Sequence, residues 1–312
     1  VTLHLVVSCT GRKTAPPTAD ACFRTVRAEH PRERVQEWTT RLQAAERGTV
    51  SAADLYAGEH WAVVRDLLRG AADSLNVHLW IASAGYGLLA SDDLVRSYSA
   101  SFSAGDADYV GRGSAKGHAA APEEWWGRLT AIRIRGTRGP RSLGSLAARD
   151  PRARYMVVAS PRYLAALSTD IHAAASTLRN GEHLKLVSSY DPGLASEFSK
   201  HLIVAGAGLT HALGGSLVSL NARVARDVID QGWITKKTKD LAAHYRTLGD
   251  SLAAPTPSRL KMTDAEVVAF IRTLRRDEQV SASAALRRFR DTGYACEQSR
   301  FGQLFVKAGR RR

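Results

Sequence analysis

The chain has 312 residues, a formal net charge of +14, 44% apolar residues and three cysteines. That length suits one large and one small domain, and that apolar fraction marks a globular chain with a sizeable core. No apolar run approaches the roughly eighteen residues a membrane span needs, and an odd cysteine count (Cys9, Cys22, Cys296) without metal-ligand spacing speaks against a disulfide framework or a zinc site.

A reducing cytoplasm is the compartment this cysteine usage implies. The opening Val1–Val7 is too short for a signal peptide's apolar region, lacks a basic flank, and reads as a buried first strand. The basic excess attracts polyanions, because neutralising phosphates releases counterions. Arginine greatly outnumbers lysine, so part of the excess is compositional, yet about half of it falls in the last fifty-odd residues. Nucleic acid is the partner this distribution points to.

Short apolar runs alternate with helical patterns, the signature of an α/β domain with a largely parallel central sheet flanked by helices. Strands are predicted at Leu3–Val7, Val77–Ala82, Tyr155–Ala159 and His183–Val187, with a weaker one at His201–Ala205. Helices are predicted at Arg34–Arg47, His60–Ser74, Pro122–Ala131, Pro161–Leu178, Leu217–Gln231 and Thr235–Leu248. Ser97–Gly117, rich in Ser, Gly and Asp, reads as a long loop of the kind that is often functional.

Ala253–Ser258 reads as a linker, dividing a domain over 1–252 from a basic helical module over 258–312. Thr263 and Glu266 form a capping box that opens a helix with Val267, Phe270, Ile271 and Leu274 on one face. Ser281 starts a second helix with Ala285, Leu286 and Phe289, closed by Gly293. A third spans Cys296–Val306 with Phe301, Leu304 and Phe305 inward. This is helix-turn-helix arithmetic. The outward Arg287, Arg288, Arg290, Gln298, Ser299, Arg300 and Gln303, with Lys307 beyond, are positioned to meet phosphates or base edges.

Ligands of α/β sheets bind beyond the carboxyl ends of the strands. After the first strand comes Ser8-Cys9-Thr10-Gly11-Arg12-Lys13, a loop able to aim backbone N–H groups and positive charge at a phosphate, though without P-loop spacing. After the second comes Ser83-Ala84-Gly85-Tyr86-Gly87, followed by Asp92, Asp93 and Tyr98. A third candidate is Asp54-Leu55-Tyr56-Ala57-Gly58. Each tyrosine alone reads as core filling; three such loops together suggest a pocket.

These segments resemble, in order, the motifs of the bacterial family related to peroxide-stress DNA-binding proteins. The resemblance covers the first hundred residues, with a weaker block at Leu217–Ile229 containing Asn221. It implies a uracil-DNA-glycosylase-like core, shared with archaeosine synthases, although the water-activating and His-Pro-Ser motifs of glycosylases are absent; Tyr190-Asp191-Pro192-Gly193 has the wrong order. One activity among relatives of this architecture is removal of glucosylated hydroxymethylcytosine from phage DNA.

The leading expectation is therefore base excision from DNA, either duplex with a flipped base or single-stranded, with no cofactor and no metal. Asp54 or Asp93 would stabilise the oxocarbenium-like sugar, and Tyr56 and Tyr86 would stack on the base. Ser8, Cys9, Thr10, Ser83, Gly85, Tyr98 and Asn221 would line the base site. Arg12, Lys13, Arg287, Arg288, Arg300 and Lys307 would hold phosphates. The alternatives are a non-catalytic stress-related or regulatory DNA-binding protein, and a deazaguanine-type base-exchange enzyme. The missing P-loop argues against nucleotide hydrolysis.

Overall fold

The computed structural model describes residues 1–44, 48–70, 75–112, 121–252, 260–277 and 280–309. The chain divides into two compact units, Val1–Ala253 and Ala254–Arg312. The linker expected at Ala253–Ser258, the end of the loop at 113–117 and the helix ends at 45–47 and 71–74 lie outside the described residues.

In the first unit the strands are β1 (Thr2–Ser8), β2 (Thr49–Ser51), β3 (Asn76–Ser83), β4 (Gly87–Ala90), β5 (Leu94–Arg96), β6 (Arg154–Val158), β7 (Leu184–Ser188) and β8 (Leu202–Val204). Its helices are α1 (Pro31–Gln43), α2 (Ala52–Leu55), α3 (Glu59–Gly70), α4 (Ala121–Thr130), α5 (Leu143–Arg149), α6 (Pro161–Ala166), α7 (Ser168–Thr177), α8 (Pro192–Glu197), α9 (Leu209–Leu213), α10 (Leu220–Asp230) and α11 (Thr238–Leu252). Six strands form the central sheet in the order β4-β3-β1-β6-β7-β8. Every neighbouring pair is parallel except β3 and β4.

The reason is legible in β1. Leu3, Leu5, Val6 and Val7 are all buried, as a parallel strand covered on both faces requires. The polar exception, His4, accepts from Trp80 Nε1 at 2.9 Å through Nδ1 and meets Asp150 at 3.3 Å through Nε2. Burial lowers its pKa and keeps the ring neutral. β1 pairs with β3 on one side and with β6 on the other. The chain direction therefore switches above the carboxyl end of β1, where open α/β sheets bind ligands.

The five expected strands are present with ends moved by a residue or two. Three features differ from the sequence reading. Gly87–Ala90 is a strand, because Ser83 pairs with Gly87 and Gly87 takes a positive φ of 77° that closes a tight hairpin. Pro161–Leu178 is two helices, broken at Leu167, where the backbone leaves helical geometry before a Ser-Thr-Asp run. The short helices α2, α5, α8 and α9 and the antiparallel pair of β2 with β5 are absent from the sequence reading.

The second unit contains β9 (Leu260–Lys261), α12 (Asp264–Asp277), α13 (Ala282–Asp291), β10 (Tyr294–Ala295) and α14 (Gln298–Gly309). β9 and β10 pair with each other in parallel. The Thr263–Glu266 capping box forms, with Thr263 N donating to Glu266 Oε2 at 2.8 Å. Ser281 Oγ caps α13 by accepting from Ala284 N, and Gly293 turns the chain at φ 87°. Val267, Ile271, Ala285, Leu286, Phe289, Cys296, Phe301 and Leu304 form the buried core. No helix among the described residues is long and apolar enough to cross a membrane.

Candidate functional site

Several of the expected residues meet beyond the carboxyl ends of β1 and β3. Tyr98 is at the centre and fully buried. Its hydroxyl lies 2.7 Å from Ser83 Oγ and 3.1 Å from Tyr56 OH, and donates to Cys9 Sγ at 3.3 Å. Cys9 Sγ is in turn 2.9 Å from the hydroxyl of Tyr163, in the first turn of α6. Four hydroxyls and a thiol thus form one continuous network. Such networks are costly unless satisfied, and when satisfied they fix the segments that carry them in one arrangement.

The local sequence builds this cluster. Cys9 N donates to Ala82 O at 2.9 Å, so the exits of β1 and β3 are tied together. Ser83 Oγ also accepts from Tyr86 N at 3.0 Å, closing the hairpin turn. Gly85 has no room for a side chain, because a Cβ there would come within 2.4 Å of the Tyr98 ring. The close-approach loop expected from the two glycines is real, but the planar group it receives is the protein's own Tyr98. Indole N–H groups of Trp125 and Trp38 hold the carbonyls of Ala84 and Gly85 at 2.8 and 2.7 Å.

Lys13 covers the cluster. Its ammonium sits 4.4 Å from the Tyr98 ring centroid and 5.8 Å from that of Tyr56, and donates to Thr10 O at 3.3 Å. The side chain is only partly exposed, and burial pulls its pKa below the ordinary lysine value. The same burial pushes the phenols of Tyr56, Tyr98 and Tyr163 well up, so they stay protonated. Cys9, and after it Asp106 and Asp108, act on Lys13 in the opposite sense, favouring its charge.

The remaining expected residues are placed as follows. Ser8 ends β1 beside Ala82 and is buried. Thr10 Oγ1 donates to the carbonyls of Arg12 and Ala57, fixing the Thr10–Lys13 loop. Arg12 is exposed. Asn221, at the start of α10, donates to Ala159 O just past β6 at 3.0 Å.

Tyr86 is a core residue. It is buried, its hydroxyl accepts from Arg96 N at 3.1 Å, and its ring meets Tyr98 edge-on at 5.3 Å. Stacking on a base is not open to it in this arrangement. Tyr56 is also fully buried and stacks on Trp61 at 5.0 Å.

Neither expected carboxylate joins the cluster. Asp54 is exposed at the third position of α2, where its N–H donates to Ser51 Oγ and its Oδ2 accepts from it at 2.6 Å. That is a helix cap. Asp93 is buried past the far end of β4, accepting from Ala90 N and Arg138 N at 2.8 Å each. Burial raises its pKa, and the two backbone donors hold it there as a turn staple.

A third carboxylate, Asp106, lies inside the Ser97–Gly117 loop. It is exposed, and its Oδ1 accepts from Asp108 N at 2.9 Å. The only signal for it was the loop's length and its Asp-rich composition. Tyr163 was missed because Pro161-Arg162-Tyr163 reads simply as a helix start. A buried Ser188 hydroxyl without a partner lies at the end of β7, on the same edge of the sheet. No group of His, Cys, Asp and Glu among the described residues could hold a metal ion.

In the second unit, Arg287 and Lys307 are exposed, and Arg288 is exposed with an interaction of its own. Arg300 differs from the sequence expectation. It pairs with Asp264 Oδ1 at 2.6 Å and donates to Met262 O at 3.0 Å, joining α14 to the start of α12. No known protein-family model matches this chain, and no curated protein matches it significantly.

Proposed function

We propose that the protein binds DNA and removes a base from it, with the Cys9–Tyr56–Ser83–Tyr98–Tyr163 cluster and Lys13 as the floor of the reacting site. The observation that carries this reading is the position of that cluster. This buried, mutually bonded cluster holds Lys13 and the Thr10–Lys13 loop at the place where open α/β sheets bind ligands. Lys13 and exposed Arg12 supply positive charge for the flanking phosphates.

Base excision passes through an oxocarbenium-like sugar, which a nearby carboxylate stabilises. Asp106, exposed in its loop with Oδ2 unpartnered among the described residues, is assigned the role first expected of Asp54 and Asp93. The exposed arginines of α13 and Lys307 of α14 would hold the duplex. Hypermodified cytosine is the base class favoured by the family resemblance.

The second reading, a non-catalytic DNA-binding protein, is favoured by one observation: both expected carboxylates have structural duties. One experiment separates the two. The protein is incubated with unmodified DNA and with DNA containing glucosylated hydroxymethylcytosine, and abasic sites and free base are measured. Base release from the modified DNA supports excision; binding without release from either DNA supports the second reading.

A further inference from the structure

Lysine ammonium groups at the edge of a fold are ordinarily paired with a carboxylate or turned out to water. Among the described residues, Lys185 and Lys13 are the two most enclosed lysines. Lys185, near the start of β7, is capped by Glu182 O at 3.1 Å and Thr238 Oγ1 at 3.5 Å, and Glu182 itself holds Thr238 N. It ties β7 to the start of α11 and is fully buried. Lys13 has no such closure. Its amine has one carbonyl acceptor at 3.3 Å and lies against the faces of Tyr98 and Tyr56, with no carboxylate at ion-pair distance among the described residues. It is partly exposed and stands over the hydroxyl cluster at the switch point of the sheet.

Resting on the base-excision reading, we propose that the Lys13 amine is a nucleophile toward the deoxyribose C1′ that base loss exposes, giving the protein strand-cleaving activity in addition to base removal. The steps balance without an outside oxidant or reductant. Hydrolysis of the glycosidic bond leaves a hemiacetal in equilibrium with the open C1′ aldehyde. The neutral amine adds its lone pair to C1′ and passes a proton to the carbonyl oxygen; the carbinolamine hydroxyl then takes a second proton from water and leaves as water, giving a protonated imine. That imine acidifies the C2′ hydrogen. Asp106 takes the C2′ proton, and the C–H electron pair moves to form the C2′–C3′ double bond. The 3′ phosphate leaves with its bonding pair, cutting the strand. Water then hydrolyses the imine and returns the free amine. Removal of the amine from water favours the neutral form that the first step needs, in the same sense as the lowered pKa of Lys13.

The test uses the full chain and sodium borohydride, whose hydride reduces an imine to a stable secondary amine. Two end-labelled duplexes are compared, one with glucosylated hydroxymethylcytosine and one with a preformed abasic site. The expected result is a protein–DNA adduct on both, mapped to Lys13 by mass spectrometry. Lys13→Arg should lower adduct and strand cleavage at least tenfold, whereas Lys200→Arg, at an exposed position of the same unit, should leave both unchanged. If Lys13→Arg does not fold by circular dichroism, Lys13→Met takes its place. Base release from the modified duplex with no adduct, or with an adduct mapped to another lysine, overturns the inference and leaves base excision standing. A Lys13 adduct on the abasic duplex without base release from the modified one supports the amine chemistry and overturns base excision. Neither adduct nor release overturns both.

Discussion

The two units spend their arginines differently. In the α/β unit many are internal braces. Arg34 donates to the carbonyls of Val110 and Arg112, and Arg96 reaches Asp20, Thr18 and the Arg41 carbonyl. Arg141 donates to the carbonyls of Tyr86, Leu88 and Ile132, with its pKa pulled down to about 10 by burial. Planar guanidinium groups suit this work, because one side chain satisfies several carbonyls that strands and helices leave unpaired. In the helical unit, Arg272, Arg276, Arg287 and Lys307 are exposed, while Arg300 and Arg290 brace. Net charge therefore overstates the cationic surface of the larger unit. A bracing arginine contributes to the fold, and only an outward one can release counterions from DNA.

The largest expected effect breaks the helical unit alone. Phe289 is fully buried and touches Phe270, Tyr294 and Phe301, so Phe289→Ala should cost about 3–5 kcal/mol. A unit this small has little stability to lose. Amide exchange should show α12–α14 opening while the central sheet keeps its protection; equal loss in both would mean they unfold as one.

Acid should do the reverse. His60 in α3 is buried with Nε2 unpartnered, and burial lowers its pKa to about 4. The unfolded chain takes up this proton near pH 6.5 and the folded chain only near 4, so stability is complete above 6.5 and falls through that window. The full loss is roughly 3 kcal/mol, partly opposed near the lower end by Asp93, whose raised pKa acts in the other direction. The second unit has no histidine. Urea unfolding of the α/β unit from pH 7.5 to 4 should show the slope, and His60→Leu should flatten it.

Removing the residues after Pro257 should weaken DNA binding at least tenfold, about 1.4 kcal/mol. Unchanged affinity would mean that the outward charges of α13 and α14 are only solvated. The smallest effect is the finest test. Arg287→Ala with Lys307→Ala should reduce the salt dependence of binding by about two units of log–log slope. Arg300→Ala should instead lower thermal stability with little change of slope, because its charge is already taken by Asp264.

The sheet was legible because buried parallel strands advertise themselves as apolar runs; β1 and β7 needed nothing else. β4 was hidden by its four-residue length and by a glycine that belongs equally to turns. At the site, Cys9, Ser83, Tyr56 and Tyr98 could be picked out because small polar and aromatic residues followed predicted strands or short glycine-bounded segments. Their roles could not. Whether Tyr86 faces a ligand or Arg96, and whether Asp54 serves chemistry or a helix end, depends on contacts between segments far apart in sequence. Tyr163 meets Cys9 across more than one hundred and fifty residues of chain, a separation that no local pattern encodes.

If the hydroxyl cluster with Lys13 and Asp106 is the reacting site, base release from DNA containing glucosylated hydroxymethylcytosine will separate three proteins measured in parallel. Wild type should release base, and Asp54→Asn should match it, since that residue caps a helix. Asp106→Asn should fall roughly a hundred- to a thousandfold while binding DNA nearly as well, as loss of a group that stabilises charge in the transition state does. Release that drops with Asp54→Asn and survives Asp106→Asn would contradict the account, as would a wild-type protein that binds the DNA and releases nothing.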